Sequence, residues 1–268
     1  MSTDVIIVRH GERLDEVYDP TIVHDLPNFD PPITRAGVLQ ACAAGHHLAA
    51  EHVQQPFERI FVSPCARTLQ TASYMVAAGL GGVQLCPVPG LAECAAAVHT
   101  NGLQSFNPQL GVPRGSSRQK VPRFLTAEQA ARYCAEGAQI EATEARYDED
   151  FVSCVARLAM EAAAHGLARI LIVSHREGIR DLGNLAGVRA RLKTEYCCIA
   201  RFRYATATDQ WSMLAPPITP TLPVTSAAVT TRKEEDTKEV AAAAPELAPA
   251  PLQPPPGPNV QQPKAGRS

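Results

Sequence analysis

Long hydrophobic runs are missing from this sequence. Nothing in its 268 residues approaches the about 20 consecutive apolar residues that a membrane-crossing helix needs, so no membrane association is expected. A surplus of either charge is missing too. With 25 Lys+Arg against 27 Asp+Glu the formal net charge is -2, which excludes a broadly basic surface of the kind that grips nucleic acid. The 8 cysteines include no CxxC pair, and Cys197 and Cys198 are neighbours inside an expected strand. That usage fits a reducing compartment rather than a disulfide framework or a zinc site. The first residues show no secretory pattern, and Met1-Ser2-Thr3 lacks the glycine on which myristoylation depends. The expectation is therefore a soluble, cytoplasmic protein.

What the chain does contain is a set of short apolar strands that end in reactive or charged residues. Val5-Ile6-Ile7-Val8 runs into Arg9-His10-Gly11-Glu12-Arg13. A β-branched run of this kind reads as a buried parallel strand, and ligands of open α/β sheets bind just beyond such strand ends. Gly11 reads as a point where the backbone turns sharply and approaches a ligand. Ile170-Leu171-Ile172-Val173 runs into Ser174-His175, a second strand that ends in a histidine. Ile60-Phe61-Val62 leads through Ser63-Pro64-Cys65-Ala66 to Arg67 at an expected helix start, where the helix N-terminus already favours anions. Val83 to Val88 leads into Pro89-Gly90-Leu91-Ala92-Glu93, which places one carboxylate in a loop. Each of these alone fits an ordinary strand end; jointly they gather guanidinium, imidazole and carboxyl groups at the ends of several strands.

That set resembles the histidine phosphatase superfamily, the phosphoglycerate mutase-like proteins, in which Arg-His-Gly follows the first strand and a second histidine follows a later one. The resemblance covers roughly residues 4 to 222 and is closest to the phosphatase domain of the Sts (TULA) proteins, which carry ubiquitin-associated and SH3 domains elsewhere in their chains. The narrower likeness rests on four stretches. They are Arg9-His10-Gly11-Glu12-Arg13, Pro31-Pro32-Ile33-Thr34 with Gly37 and Gln40-Ala41, Pro89-Gly90-Leu91-Ala92-Glu93, and Trp211 leading to Pro216-Pro217-Ile218. The resemblance implies His10 as the phospho-accepting nucleophile, Arg9, Arg13, Arg67 and His175 as the phosphate pocket, and Glu93 as the proton donor. It also implies a phosphorylated small molecule or phosphoprotein as substrate.

The chemistry suits those residue types. Phosphoryl transfer spreads negative charge over three equatorial oxygens, so positioning and electrostatic stabilisation dominate. Guanidinium forks supply the positive charge with no metal or other cofactor. A neutral His10 can attack phosphorus in line and hold the phosphoryl group, which splits one displacement into two easier ones. A protonated Glu93 can give its proton to the leaving alkoxide and later take one from water. Surrounding positive charge disfavours protonation of His10 and keeps it nucleophilic. The alternatives are a phosphosugar mutase or bisphosphatase that uses the same intermediate, and a non-catalytic scaffold that binds phosphorylated ligands.

Two departures from the superfamily pattern stand out. Arg13-Leu14-Asp15 replaces the Ser and Trp-Asn continuation of the cofactor-dependent mutases, which favours a phosphatase. Arg176 and Glu177 follow His175 where small residues are usual. Either they form an ion pair turned away from the pocket, the preferred reading, or Arg176 reads the substrate.

The motifs interleave from residue 9 to residue 175, so they belong to one sheet and one domain, set at residues 1–222. Strands alternating with helices predict a three-layer α/β/α sandwich whose central sheet is mostly parallel. Helices are expected from Thr34 to about Ala50, after Thr126, from Arg67 to Ala78 and from Tyr147 to His165. The last carries Phe151, Val155, Leu158 and Ala162 on one face. Ile199 to Tyr204 and Trp211 to Leu214 read as an edge hairpin. His46, His47 and His165 read as surface or structural residues, not metal ligands. Residues 94–125 are expected to form a long loop with Arg114, Arg118, Lys120 and Arg123, which reads either as a source of substrate selectivity or as a solvated basic loop. Residues 223–268 are Ala/Pro-rich and expected to be disordered; Pro251 with Pro254 gives PxxP spacing that suits an SH3-type partner, though a plain solubilising tail is the preferred reading. A homodimer is left open.

Overall fold

A computed structural model describes residues 2–17, 24–26, 30–92, 106–107, 112–113, 125–141 and 149–222. Glu93, the four basic side chains of the loop from 94 to 125, and the Pro-rich segment from Pro223 onward lie outside the described residues.

Apolar β-branched runs become strands at the centre of the sheet. The strands are β1 (Ser2–Arg9), β2 (Arg59–Val62), β3 (Gln84–Pro87), β6 (Arg169–Ser174), β7 (Ile199–Ala205) and β8 (Gln210–Ile218). They form one six-stranded sheet in the order β3-β2-β6-β1-β7-β8. The first four of that order run parallel, whereas β7 is antiparallel to β1 and β8 to β7. A separate antiparallel pair, β4 (Phe106–Asn107) with β5 (Val112–Pro113), falls in the expected long loop.

Alternation along β1 explains why both faces are covered. Ile6 and Val8 join Ile60, Val62, Leu171 and Val173 in a core under helices α1 (Arg35–Gln54) and α2 (Ala66–Ala78). Val5 and Ile7 join Ile170, Ile172 and Phe202 on the other side, under α4 (Phe151–Ala164) and α5 (Arg176–Leu185). Each such fully buried aliphatic side chain stabilises the fold by about 1.5–3 kcal/mol, enough to fix strand register against slippage. The architecture is the expected α/β/α sandwich.

Helix starts follow their caps. Thr34 accepts from Gly37 N at 2.9 Å at the head of α1, and Thr126 with Gln129 closes a capping box at the head of α3 (Ala127–Tyr133). Asp150 caps α4, so that helix starts at Phe151 and not at Tyr147. Val155, Leu158 and Ala162 are buried as expected, and Phe151 packs against the same core.

Three sequence expectations change. Helix α5 was not foreseen because only Ile179 and Leu182 anchor it among Arg, Glu and Asp. The final two strands are not jointly an edge: β7 pairs with β1 from Ser2↔Ala205 to Val8↔Ile199, and β8 alone is the border. Cys197 and Cys198 precede β7, in a turn where Cys197 has φ 52. Both thiols are buried and free, as are those of Cys86, Cys134 and Cys154. His46, His47 and His165 are exposed. Among the described residues no helix is long and apolar enough to cross a membrane.

Candidate active site

Register brings the two histidines together. β1 and β6 pair in parallel up to Arg9↔Ser174, so the next residue of each, His10 and His175, emerges side by side. His10 N donates to Ser174 O at 3.0 Å, and the two rings lie 5.4 Å apart at 63°. On the other side of β6, Val62 pairs with Val173 and Ser63 N donates to Val173 O at 2.9 Å, which carries Ser63 and the start of α2 to the same end of the sheet.

The hydrogen bonds fix the tautomers. His10 Nδ1 lies 2.8 Å from Gly11 O. A carbonyl can only accept, so Nδ1 carries the proton and Nε2 keeps its lone pair. For His175, Nδ1 faces a guanidinium nitrogen of Arg67 at 3.4 Å, and guanidinium can only donate. Its proton therefore sits on Nε2, which donates to Ser63 Oγ at 2.8 Å. Both rings are almost wholly buried. Burial first, and then the charges of Arg67 and Arg9, hold His10 well below the ordinary imidazole range. Burial and Arg67 do the same to His175. Both imidazoles are therefore neutral at physiological pH.

The arginines differ in how they are held. Arg9 donates to Thr194 O at 2.7 Å, and its guanidinium lies 3.9 Å from the centre of the Tyr196 ring, which itself sits 5.7 Å from His10. Its Nε is buried and makes no hydrogen bond among the described residues. Arg67 is 1% exposed and donates to Asp30 Oδ1 at 3.0 Å. Asp30 also accepts from Ala66 N at 2.7 Å through its other oxygen. The start of α2, where the sequence reading placed a preference for anions, is thus met by the carboxylate of Asp30. Burial raises the Asp30 carboxyl, and Arg67 opposes that rise. Arg13 lends its charge to both histidines, but its Nε donates to Asp15 at 2.9 Å.

The Arg-His-Gly loop is held by α1 and α2. A Cβ on Gly11 would meet Gly37 O at 2.6 Å, so two glycines allow the loop and the first turn of α1 to touch. Gly11 thus packs against protein, not against a ligand as its position in the sequence suggested. Its N–H donates to Thr71 Oγ1 at 2.9 Å, and Thr71 donates in turn to Arg67 O. Glu12 accepts from Thr34 Oγ1 at 2.8 Å while its N–H donates to Gln40 at 2.9 Å. The Thr34, Gly37 and Gln40 pattern is therefore a clamp on the nucleophile loop.

Arg9, His10, Arg67 and His175 are gathered at one sheet end, with Arg13 beside them; Glu93 lies outside the described residues. Sequence reasoning gave no role to Ser63, Thr71, Asp30 or Tyr196. Only the position of Ser63 directly after β2 was a signal. Arg176 does pair with Glu177, Nε to Oε1 at 2.9 Å, and it also lines a cleft with Arg9. Among the described residues no group of three or more His, Cys, Asp or Glu is placed to hold a metal ion.

The chain's fold is similar to that of the ecdysone phosphate phosphatase of Bombyx mori, solved with tungstate, at 19% identity over 87% of this chain and 98% of that one, with a TM-score of 0.50. It is equally similar to a phosphoglycerate mutase from Bacillus anthracis, at 17% identity over 80% of this chain and 92% of that one, TM-score 0.50. At such identities the likeness speaks for the fold alone. No curated protein matches the sequence. The family model described as the histidine phosphatase superfamily (branch 1) matches residues 5–213, from the strand that bears His10 through the one that closes the sheet, and the chain belongs to that superfamily.

Proposed function

We propose that this protein is a phosphatase that hydrolyses phosphomonoesters through a phosphohistidine on His10, without a metal. The observation that carries this reading is the tautomer of His10. Its Nδ1 proton is committed to Gly11 O, so Nε2 offers a lone pair among the Arg9, Arg13 and Arg67 guanidiniums. Nε2 attacks phosphorus as the P–O ester bond breaks, and the guanidinium charge stabilises the equatorial oxygens. The leaving oxygen takes a proton from Glu93. Water then attacks the P–N bond, Glu93 recovers a proton, and phosphate departs. Within the superfamily the four motif stretches favour kinship with the Sts (TULA) phosphatase domain. Arg13-Leu14-Asp15 favours transfer to water over transfer to a second hydroxyl.

Rapid quenching with phosphorus-labelled p-nitrophenyl phosphate should trap an acid-labile phosphoenzyme in the wild type and none in His10→Ala, whose thermal melt should remain cooperative. An acid-stable label, label on a cysteine, or full turnover by His10→Ala would overturn the proposal. Excess EDTA should leave the rate unchanged.

A further inference from the structure

Arg9 and His10 are gripped by the short segment that leads into β7. Arg9 N donates to Cys198 O at 3.1 Å, and Cys197 N donates to His10 O at 3.3 Å. The Arg9 side chain reaches the same segment, where its Nη1 donates to Thr194 O at 2.7 Å. Cys197 holds φ at 52, a left-handed conformation that a residue with a Cβ seldom adopts, and such strain persists only where the surrounding contacts impose it. Between these anchors stands Tyr196. The central carbon of the Arg9 guanidinium lies over its ring, 3.9 Å from the centre, and the ring is 5.7 Å from that of His10. Tyr196 is half-buried and belongs to neither apolar core, so packing of the fold does not explain its place. What it covers is Arg9, a guanidinium whose buried Nε makes no hydrogen bond among the described residues. The ring is tied down in turn, because its hydroxyl donates to Glu16 in the 3-10 turn Leu14–Glu16 that directly follows Arg13. Burial and that bond push the hydroxyl up to about 12, so it stays protonated and keeps donating.

Resting on the phosphatase reading, we infer that Tyr196 is a positioning residue of the reaction: its ring, anchored by Glu16, holds the Arg9 guanidinium in the plane that meets the oxyanion at His10. A single hydrogen bond through Nη1 leaves the planar fork of an arginine free to turn. A ring against the face of the fork removes that freedom, because the attraction between cation and ring is lost as the fork turns away. Placement matters here, since a shift of about 1 Å in a group that orients a reactant can cost about a hundredfold in rate. The bond from Tyr196 to Glu16 also joins the segment that holds Arg9 to the turn that follows Arg13, so two cations of the site share one support.

The test uses full-length protein and two readouts, calorimetric titration with tungstate, a tetrahedral oxyanion, and kcat/KM for p-nitrophenyl phosphate. Tyr196→Leu should weaken tungstate binding and lower kcat/KM by about tenfold or more. Tyr196→Phe keeps the ring, and Glu16→Ala releases the hydroxyl from the other end, so each should cost only about two- to threefold. In an Arg9→Ala background Tyr196→Leu should weaken tungstate no further, since a residue that acts through Arg9 then has nothing to hold. Should Tyr196→Leu lack a cooperative thermal melt, Tyr196→Gln takes its place in the same comparisons. Retention of both readouts within about twofold in Tyr196→Leu overturns the inference. So does a loss of the same size in Tyr196→Phe, or one that persists in full without Arg9, which would put the ring on the substrate or in the fold. If tungstate binding follows the expected pattern but the wild type turns over no phosphomonoester, the positioning role stands and the phosphatase reading falls.

Discussion

Lowering the pH should destabilise this protein in a way that reports directly on His10 and His175. Both imidazoles are held neutral in the folded state, chiefly by burial and then by Arg67, well below the value of 6.5 at which the unfolded chain protonates. Below pH 6.5 the unfolded chain therefore binds two protons that the folded one refuses, and stability falls as pH falls. A shift of one pKa unit corresponds to about 1.36 kcal/mol. Between pH 7.5 and pH 5.5 each histidine then removes about 1.4 kcal/mol, and the pair about 2.7 kcal/mol, a large part of the 5–15 kcal/mol or so typical of a domain. Urea melts at several pH values, compared between the wild type and His10→Asn with His175→Asn, isolate this contribution. Asp30, whose raised carboxyl has the opposite slope, is present in both proteins and cancels in the difference. The buffers must be free of phosphate, because an oxyanion in the pocket would favour the protonated rings. The wild type should lose about 2.7 kcal/mol more than the double variant over that interval. Parallel stability curves would show that the rings protonate as freely as in the unfolded chain, and the neutral-nucleophile argument would fall with them.

Ser63→Ala should leave the His175 Nε2 proton buried without an acceptor; it should lower stability by about 1–3 kcal/mol and reduce kcat, and an unchanged urea midpoint would refute the tautomer assigned here. Gly37→Ala puts a Cβ 2.7 Å from Glu12 O, so it should push α1 from the nucleophile loop, with a destabilisation of about 1–3 kcal/mol and a fall in kcat/KM; wild-type values would mean that the contact is loose. If Glu93 protonates the leaving group, Glu93→Gln should slow alkyl phosphates by about 10²–10⁴ and aryl phosphates far less. Equal losses on both would assign the proton to another carboxylate, with Asp30 the first to test because burial already raises it.

The chain's own sequence determined the strands, most of the helix starts and the types of group at the site. Val5 to Val8 and Ile170 to Val173 could only be buried strands, because β-branched runs without polar interruption satisfy neither a solvent-exposed hairpin nor a turn. Thr34 and Thr126 announced their helices through side chains that reach the first free N–H groups. Arg9, His10, Arg67 and His175 were recognisable because each follows such a run. Helix α5 was not, since its stability comes from burying Ile179 and Leu182 against a sheet and not from any local pattern.

Only the tertiary structure decided which groups meet and in what state. That His10 lies beside His175 follows from the parallel register Arg9↔Ser174, a pairing between residues far apart in the chain which no window of sequence contains. The same holds for Asp30 on Arg67, Ser63 on His175 and Thr71 on Gly11. Gly11 looked like an opening for a ligand and proved to be the place where a loop meets a helix, because Gly37 arrives there from another element. Protonation state and tautomer depend on burial and on the partner at the far side of each ring. Both are properties of the packed neighbourhood, so they exist only once the sheet has closed.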